Sequence, residues 1–132
     1  MNAKEMQKTS LEWLRNNEKY TDMASNTVKI ETSLLDNSLD TIIIYAETND
    51  SKITLTDDGW TLDNLESHGF DFSKDSYLFN SLHAILKVFK ITLIDDELSI
   101  SCNKHDFPTT KQNFLQGIIA INNLGLLTNL QN

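Results

Sequence analysis

Two hydrophobic periods alternate along this chain. From Ala3 to about Asn17, Met6, Trp13 and Leu14 fall close to one stripe with Lys and Glu between them, which predicts a surface helix. Residues 18–26, EKYTDMASN, show neither period and read as a connection. The period then drops to two. Val28–Thr32 alternates apolar and polar, and Leu39–Ala46, LDTIIIYA, is the most apolar run and reads as a central strand. Lys52–Thr56 alternates again, with Ile53 and Leu55 on one face. LDNSLD at 35–40 and TNDSK at 48–52 have turn composition. An antiparallel three-strand meander is the simplest arrangement of these pieces.

After Asp57-Asp58-Gly59 the helical period returns. In WTLDNLESHG, Thr61 is placed to cap a short helix and Gly69 to end it in a left-handed conformation. A second helix is predicted from Ser73 to Lys87, on the repeat of Leu78, Leu82, Ile85 and Phe89. ITLIDDELSISC reads as two short strands around a tight acidic turn at Asp95-Asp96. Pro108 suits the first turn of a last helix, which carries Phe114, Leu115, Ile118, Ile119 and Ile121 and frays near Gly125. The order predicts an α+β fold: an antiparallel sheet, made of a three-strand meander plus a short hairpin, with helices packed on one face.

Composition narrows the setting. A chain of 132 residues fits a single domain spanning 1–132, and 39% apolar residues suffice for a core. No apolar run approaches the ~20 residues a membrane helix needs. The first residues show no apolar leader, and Cys102 is the only cysteine, so a reducing cytoplasm is expected. The net charge of −8 is unevenly placed. Residues 1–30 are net +1, residues 31–106 are net −10, and Lys111 is the only charge after 106. With a single arginine, Arg15, and scattered lysines, direct nucleic-acid binding is not expected. A partner with a basic protein face is.

The stretch with most candidate chemistry is Asp57-Asp58-Gly59. A two-carboxylate metal site would recruit Asp36 or Glu31 from a neighbouring strand. A strand-to-helix turn accounts for all three residues: Asp-Gly supplies positive φ and an Asp side chain bonds nearby amides. Cys102 and His105 have half the spacing of a zinc site, but His68 and His83 have no partner nearby, so no metal and no cofactor is expected. Cys102 reads as a packed strand-end residue. Trp60 with Tyr45, and Phe70 with Phe72, lie in the most acidic region and lack the cationic groove of a base-stacking platform; core or boundary packing is their expected role. The glycines are isolated, so no phosphate loop is present.

TSLLDN at 32–37, TIIIYAE, the segment LTDDGWTLDNLESHG, LSIS and the closing FLQGIIAINNL together resemble a bacterial and phage family known only as domain of unknown function number 1828. Ser33 stands where that family usually shows proline. The resemblance implies an intracellular protein of bacteria or their mobile elements, and brings no activity and no catalytic residues.

The expected function is therefore that of a small, non-enzymatic protein-binding module. Asp36, Asp57, Asp58, Trp60, Asp63 and Glu66 would meet a basic partner, such as a host nucleic-acid-processing or defence complex that the protein inhibits in the manner of an anti-CRISPR. One alternative is a metal-dependent hydrolase or nuclease-like protein using Asp57, Asp58 and Asp36. Another is a structural or regulatory homodimer joined through the helix of Phe107–Asn132, whose only charge is Lys111.

Overall fold

The computed structural model describes residues 1–74 and 76–126. The elements are α1 (Ala3–Asn17), β1 (Lys19–Asp22), β2 (Thr27–Leu35), β3 (Thr41–Asn49), β4 (Lys52–Thr56), α2 (Trp60–Ser67), α3 (Tyr77–Phe89), β5 (Thr92–Ile94), β6 (Glu97–Asn103) and α4 (Phe107–Asn122), with a 3₁₀ turn at Lys104–Asp106 before α4. The strands form one antiparallel sheet in the order β1-β2-β3-β4-β6-β5. This is the expected α+β class.

Alternation along β3 makes the sheet two-sided. Ile42, Ile44 and Ala46 are buried, so Thr41, Ile43 and Tyr45 face the opposite way. On the core side, Ile30, Ile44, Leu55 and Leu98 share one cluster with Leu62 and Leu65 of α2, Leu82 and Leu86 of α3, and Phe114, Ile118 and Ile121 of α4. Fully burying such a side chain stabilises by about 1.5–3 kcal/mol each. Gly117 sets how closely α4 approaches: a Cβ there would lie 2.3 Å from Ile91 Cδ1 and 3.2 Å from Phe89 Cβ. The apolar band of α4 that suggested a dimer is thus buried within its own chain, while 127–132 of that expected interface lie outside the described residues.

Four boundaries differ from expectation, each for a local reason. Residues 18–26 hold strand β1, which pairs Lys19 with Glu31 through to Asp22 with Val28. All four of its side chains are exposed, so edge-strand β1 leaves no alternation in the sequence. Strand β3 begins at Thr41 because Leu39 has φ +64° and belongs to the preceding turn. Gly59, not Thr61, is the N-cap of α2; the Thr61 N–H donates instead to the Asp57 carboxylate at 3.0 Å. Helix α3 starts after Ser76, whose hydroxyl accepts the Phe79 N–H at 3.0 Å. Gly69 at φ +92° and Pro108 in the first turn of α4 sit as expected.

Helix α1 stands apart. An Asn2–Glu5 capping box starts it, yet none of its residues is buried. It leads into β1, which is held from the helix side by Lys111 of α4. The Lys111 ammonium bonds the Glu18 carboxylate, and reaches the Tyr20 hydroxyl at 2.8 Å. It also lies 5.5 Å and 5.9 Å from the ring centres of Tyr20 and Phe107.

Candidate functional site

In an antiparallel sheet, alternate connections fall at the same end. Here that rule collects three acidic turns: Asp36–Asp40 between β2 and β3, Asp57–Gly59 after β4, and Asp95–Asp96 between β5 and β6. They surround a cleft of about 640 Å³ on the sheet face opposite the core. Thr41, Ile43 and Tyr45 of β3 form its floor. Asp40, Asp57, Asp58, Trp60, Asp63, Asp95 and Asp96 form its walls, and among the described residues no Lys, Arg or His lines it.

The central turn shows how adjacent aspartates divide their roles. Asp58 and Gly59 both have positive φ, at 56° and 79°, and the Asp57 carbonyl accepts the Trp60 N–H at 3.2 Å. This is the geometry of a type I′ turn, in which glycine at the second central position is unstrained. Asp57 is 2% exposed. Its Oδ1 accepts from the N–H groups of Gly59 and Leu98, each at 2.9 Å, and its Oδ2 from Thr61. One carboxylate therefore joins the end of β4, the start of α2 and strand β6. Asp58, next to it, is exposed.

Asp36 does the same for the neighbouring turn. It is buried, its Oδ1 accepts the N–H groups of Ser38 and Asp40 at 2.8 and 3.0 Å, and its Oδ2 accepts the Trp60 indole N–H at 3.2 Å. Asn64 of α2 donates to Asn37 and Ser38 of that turn at 3.3 and 3.2 Å, and the Asn37 N–H donates to Asn122 of α4 at 3.4 Å. The Asp36–Asp40 turn is thus tied to α2, which carries Trp60, and to α4.

Of the sequence-predicted site residues, the structure brings Asp57, Asp58, Trp60 and Asp63 to one cleft. Asp36 stands behind it, holding Trp60. Glu66 lies on the exposed side of α2 in an adjoining hollow with Phe70, Phe72, Phe79 and His83; Asp96 borders both spaces. Burial first, then the carboxylates of Asp96, Asp63 and Asp71, raise the Glu66 carboxyl above its ordinary value. The metal reading of Asp57, Asp58 and Asp36 meets an obstacle, because Asp57 and Asp36 direct both carboxylate oxygens at N–H donors. Among the described residues, no group of three or more His, Cys, Asp or Glu is placed to hold a metal ion. His105 is exposed beside Asp106, and Cys102 is half-buried in β6.

The two aromatic pairs divide: Phe70 and Phe72 pack on the core as expected, while Tyr45 and Trp60, the latter 48% exposed, line the cleft. Sequence reasoning missed Asp40, Tyr45, Asp95 and Asp96 as site residues. The Asp95-Asp96 turn was legible on its own; that it faces the Asp57–Gly59 turn follows only once β6 is paired with β4.

No curated protein and no solved structure matches the chain. A family model does match, over residues 32–121, which takes in the end of β2, strands β3 and β4, helices α2 and α3, the β5–β6 hairpin and nearly all of α4, and therefore all three acidic turns. By that match over more than half its length, the chain belongs to the family described as Domain of unknown function DUF1828.

Proposed function

We propose that the protein is a non-enzymatic binding module whose acid-rimmed cleft docks on a basic face of a protein partner. The observation that carries this reading is the cleft wall: exposed Asp40, Asp58, Asp63, Asp95 and Asp96 gathered around a concave surface, with no cation among the lining residues. Uncompensated charge of one sign in a concavity focuses the field outward and draws a partner of opposite sign. Proteins that handle nucleic acid present such basic faces, so a nucleic-acid-processing complex is the partner class that fits. The buried acids Asp36 and Asp57 shape the turns, and the exposed acids supply the contact.

The test is capture from a cell lysate with the intact chain and with an Asp58→Lys/Asp63→Lys/Asp96→Lys variant of matched thermal stability. The expected result is a retained basic protein that the variant does not retain and that moderate salt releases, because exposed charges are screened beyond ~8 Å at physiological ionic strength. The same proteins retained by both, at low and high salt alike, would sink the reading.

A further inference from the structure

We propose that the cleft seats an arginine side chain of the partner, with its guanidinium laid against the Trp60 indole; this rests on the binding-module reading above. The key observation is how Trp60 is held. Its side chain is half exposed, yet its indole N–H is fixed to the buried Asp36 carboxylate, which two backbone amides fix in turn. An exposed tryptophan held this way presents an aromatic face whose orientation is set before any ligand arrives, so less rotamer freedom is lost on binding. Tyr45 on the cleft floor adds a second aromatic group.

The chemistry of the lining selects the ligand. Aromatic faces attract cations, and the carboxylates of Asp58, Asp63 and Asp96 answer the charge without a competing lysine or arginine in the cleft. A polyanion would meet only repulsion there. Guanidinium is favoured over ammonium because it is planar, stacks on an indole and bonds carboxylates through two parallel N–H groups. At about 640 Å³ the cleft has room for one such side chain together with the residues flanking it.

The experiment uses the full chain carrying Trp13→Phe, which leaves Trp60 as the only tryptophan. Three capped pentapeptides, Gly-Gly-X-Gly-Gly with arginine, lysine or the neutral isostere citrulline at X, are titrated into the millimolar range while Trp60 emission is followed. A saturable change with arginine, several-fold weaker with lysine and absent with citrulline, is expected. Binding of a dye-labelled arginine peptide, followed by anisotropy, should weaken about tenfold in Trp60→Ala and again in Asp58→Asn/Asp63→Asn. Equal binding of the citrulline peptide, equal binding of the lysine peptide, or unchanged affinity in a folded Trp60→Ala variant would each overturn the assignment. If a captured basic partner is released by salt but not displaced by the arginine peptide, the arginine seat falls and the binding-module reading stands.

Discussion

Helices α1 and α4 are of similar length and both carry an apolar stripe, yet one buries nothing and the other lies at the centre of the core. In α1 the stripe is Met6, Trp13 and Leu14, thin and broken by polar residues, and Met6 and Trp13 stay more than half exposed. In α4, Phe114, Leu115, Ile118 and Ile121 sit one turn apart on a band wide enough to meet α3 and the sheet together. Amphipathicity thus predicts that a helix forms; the width of the apolar band decides whether it is buried. The family match begins at residue 32, within β2, and so leaves out α1 and β1.

The largest effect expected from this contrast is at Phe114, which is 0% exposed. Phe114→Ala should lower unfolding free energy by about 3–5 kcal/mol, read by denaturant titration, because it leaves a cavity between α4 and the sheet. A loss under 1 kcal/mol would mean that α4 is not the centre of the core.

An intermediate effect is expected where the two regions meet. Burial works against the charges of both Glu18 and Lys111, but their mutual hydrogen bond and the Tyr20 hydroxyl outweigh it. Glu18 is held below its ordinary value of 4.5 and Lys111 above its ordinary 10.5. The contribution of Glu18 is complete above pH 4.5 and is lost as pH falls through its lowered folded value. That of Lys111 is complete below pH 10.5 and is lost as pH rises through its raised folded value. Hydrogen exchange of the β1 amides, taken relative to the unstructured rate at each pH, should therefore quicken at both extremes while α4 stays protected. Lys111→Met should quicken it at neutral pH, by an amount corresponding to about 1 kcal/mol. Protection of β1 unchanged in Lys111→Met would show that the strand ladder alone holds the N-terminal segment.

The smallest effect is at Trp13. Trp13→Ala should change stability by less than about 0.5 kcal/mol in a thermal melt. A loss above 1 kcal/mol that grows with protein concentration would reveal a second copy covering α1 and would redraw the contrast.

The same difference between regions governs what could be read from sequence. Lys52–Thr56 was legible to the residue, because Ile53 and Leu55 alternate against polar neighbours on a half-buried strand. The Asp58-Gly59 turn was legible because few other residue pairs accept positive φ so readily. Strand β1 was not, since KYTD has no buried position to impose a period. The anchoring of Trp60 was not legible either, since its partner, Asp36, lies 24 positions away and bonds only the indole N–H. The cleft itself depends on strand order, and local pattern gives no sign that β6 rather than β5 neighbours β4.

That strand order also separates short-range pairings from long-range ones. Strands β1 to β4 pair with their immediate neighbours in the chain, so these hairpins close short loops and form quickly. Pairing of Thr56 with Ser99 closes a loop that contains α2, α3 and β5, and long-range closure of this kind is the slower step. The floor of the cleft belongs to the early part, and the Asp95–Asp96 wall to the late part. A nascent or partly unfolded chain would carry the floor and the Asp36–Asp40 turn without the opposing wall. Capture of the partner would then count only molecules that have completed their slowest long-range step.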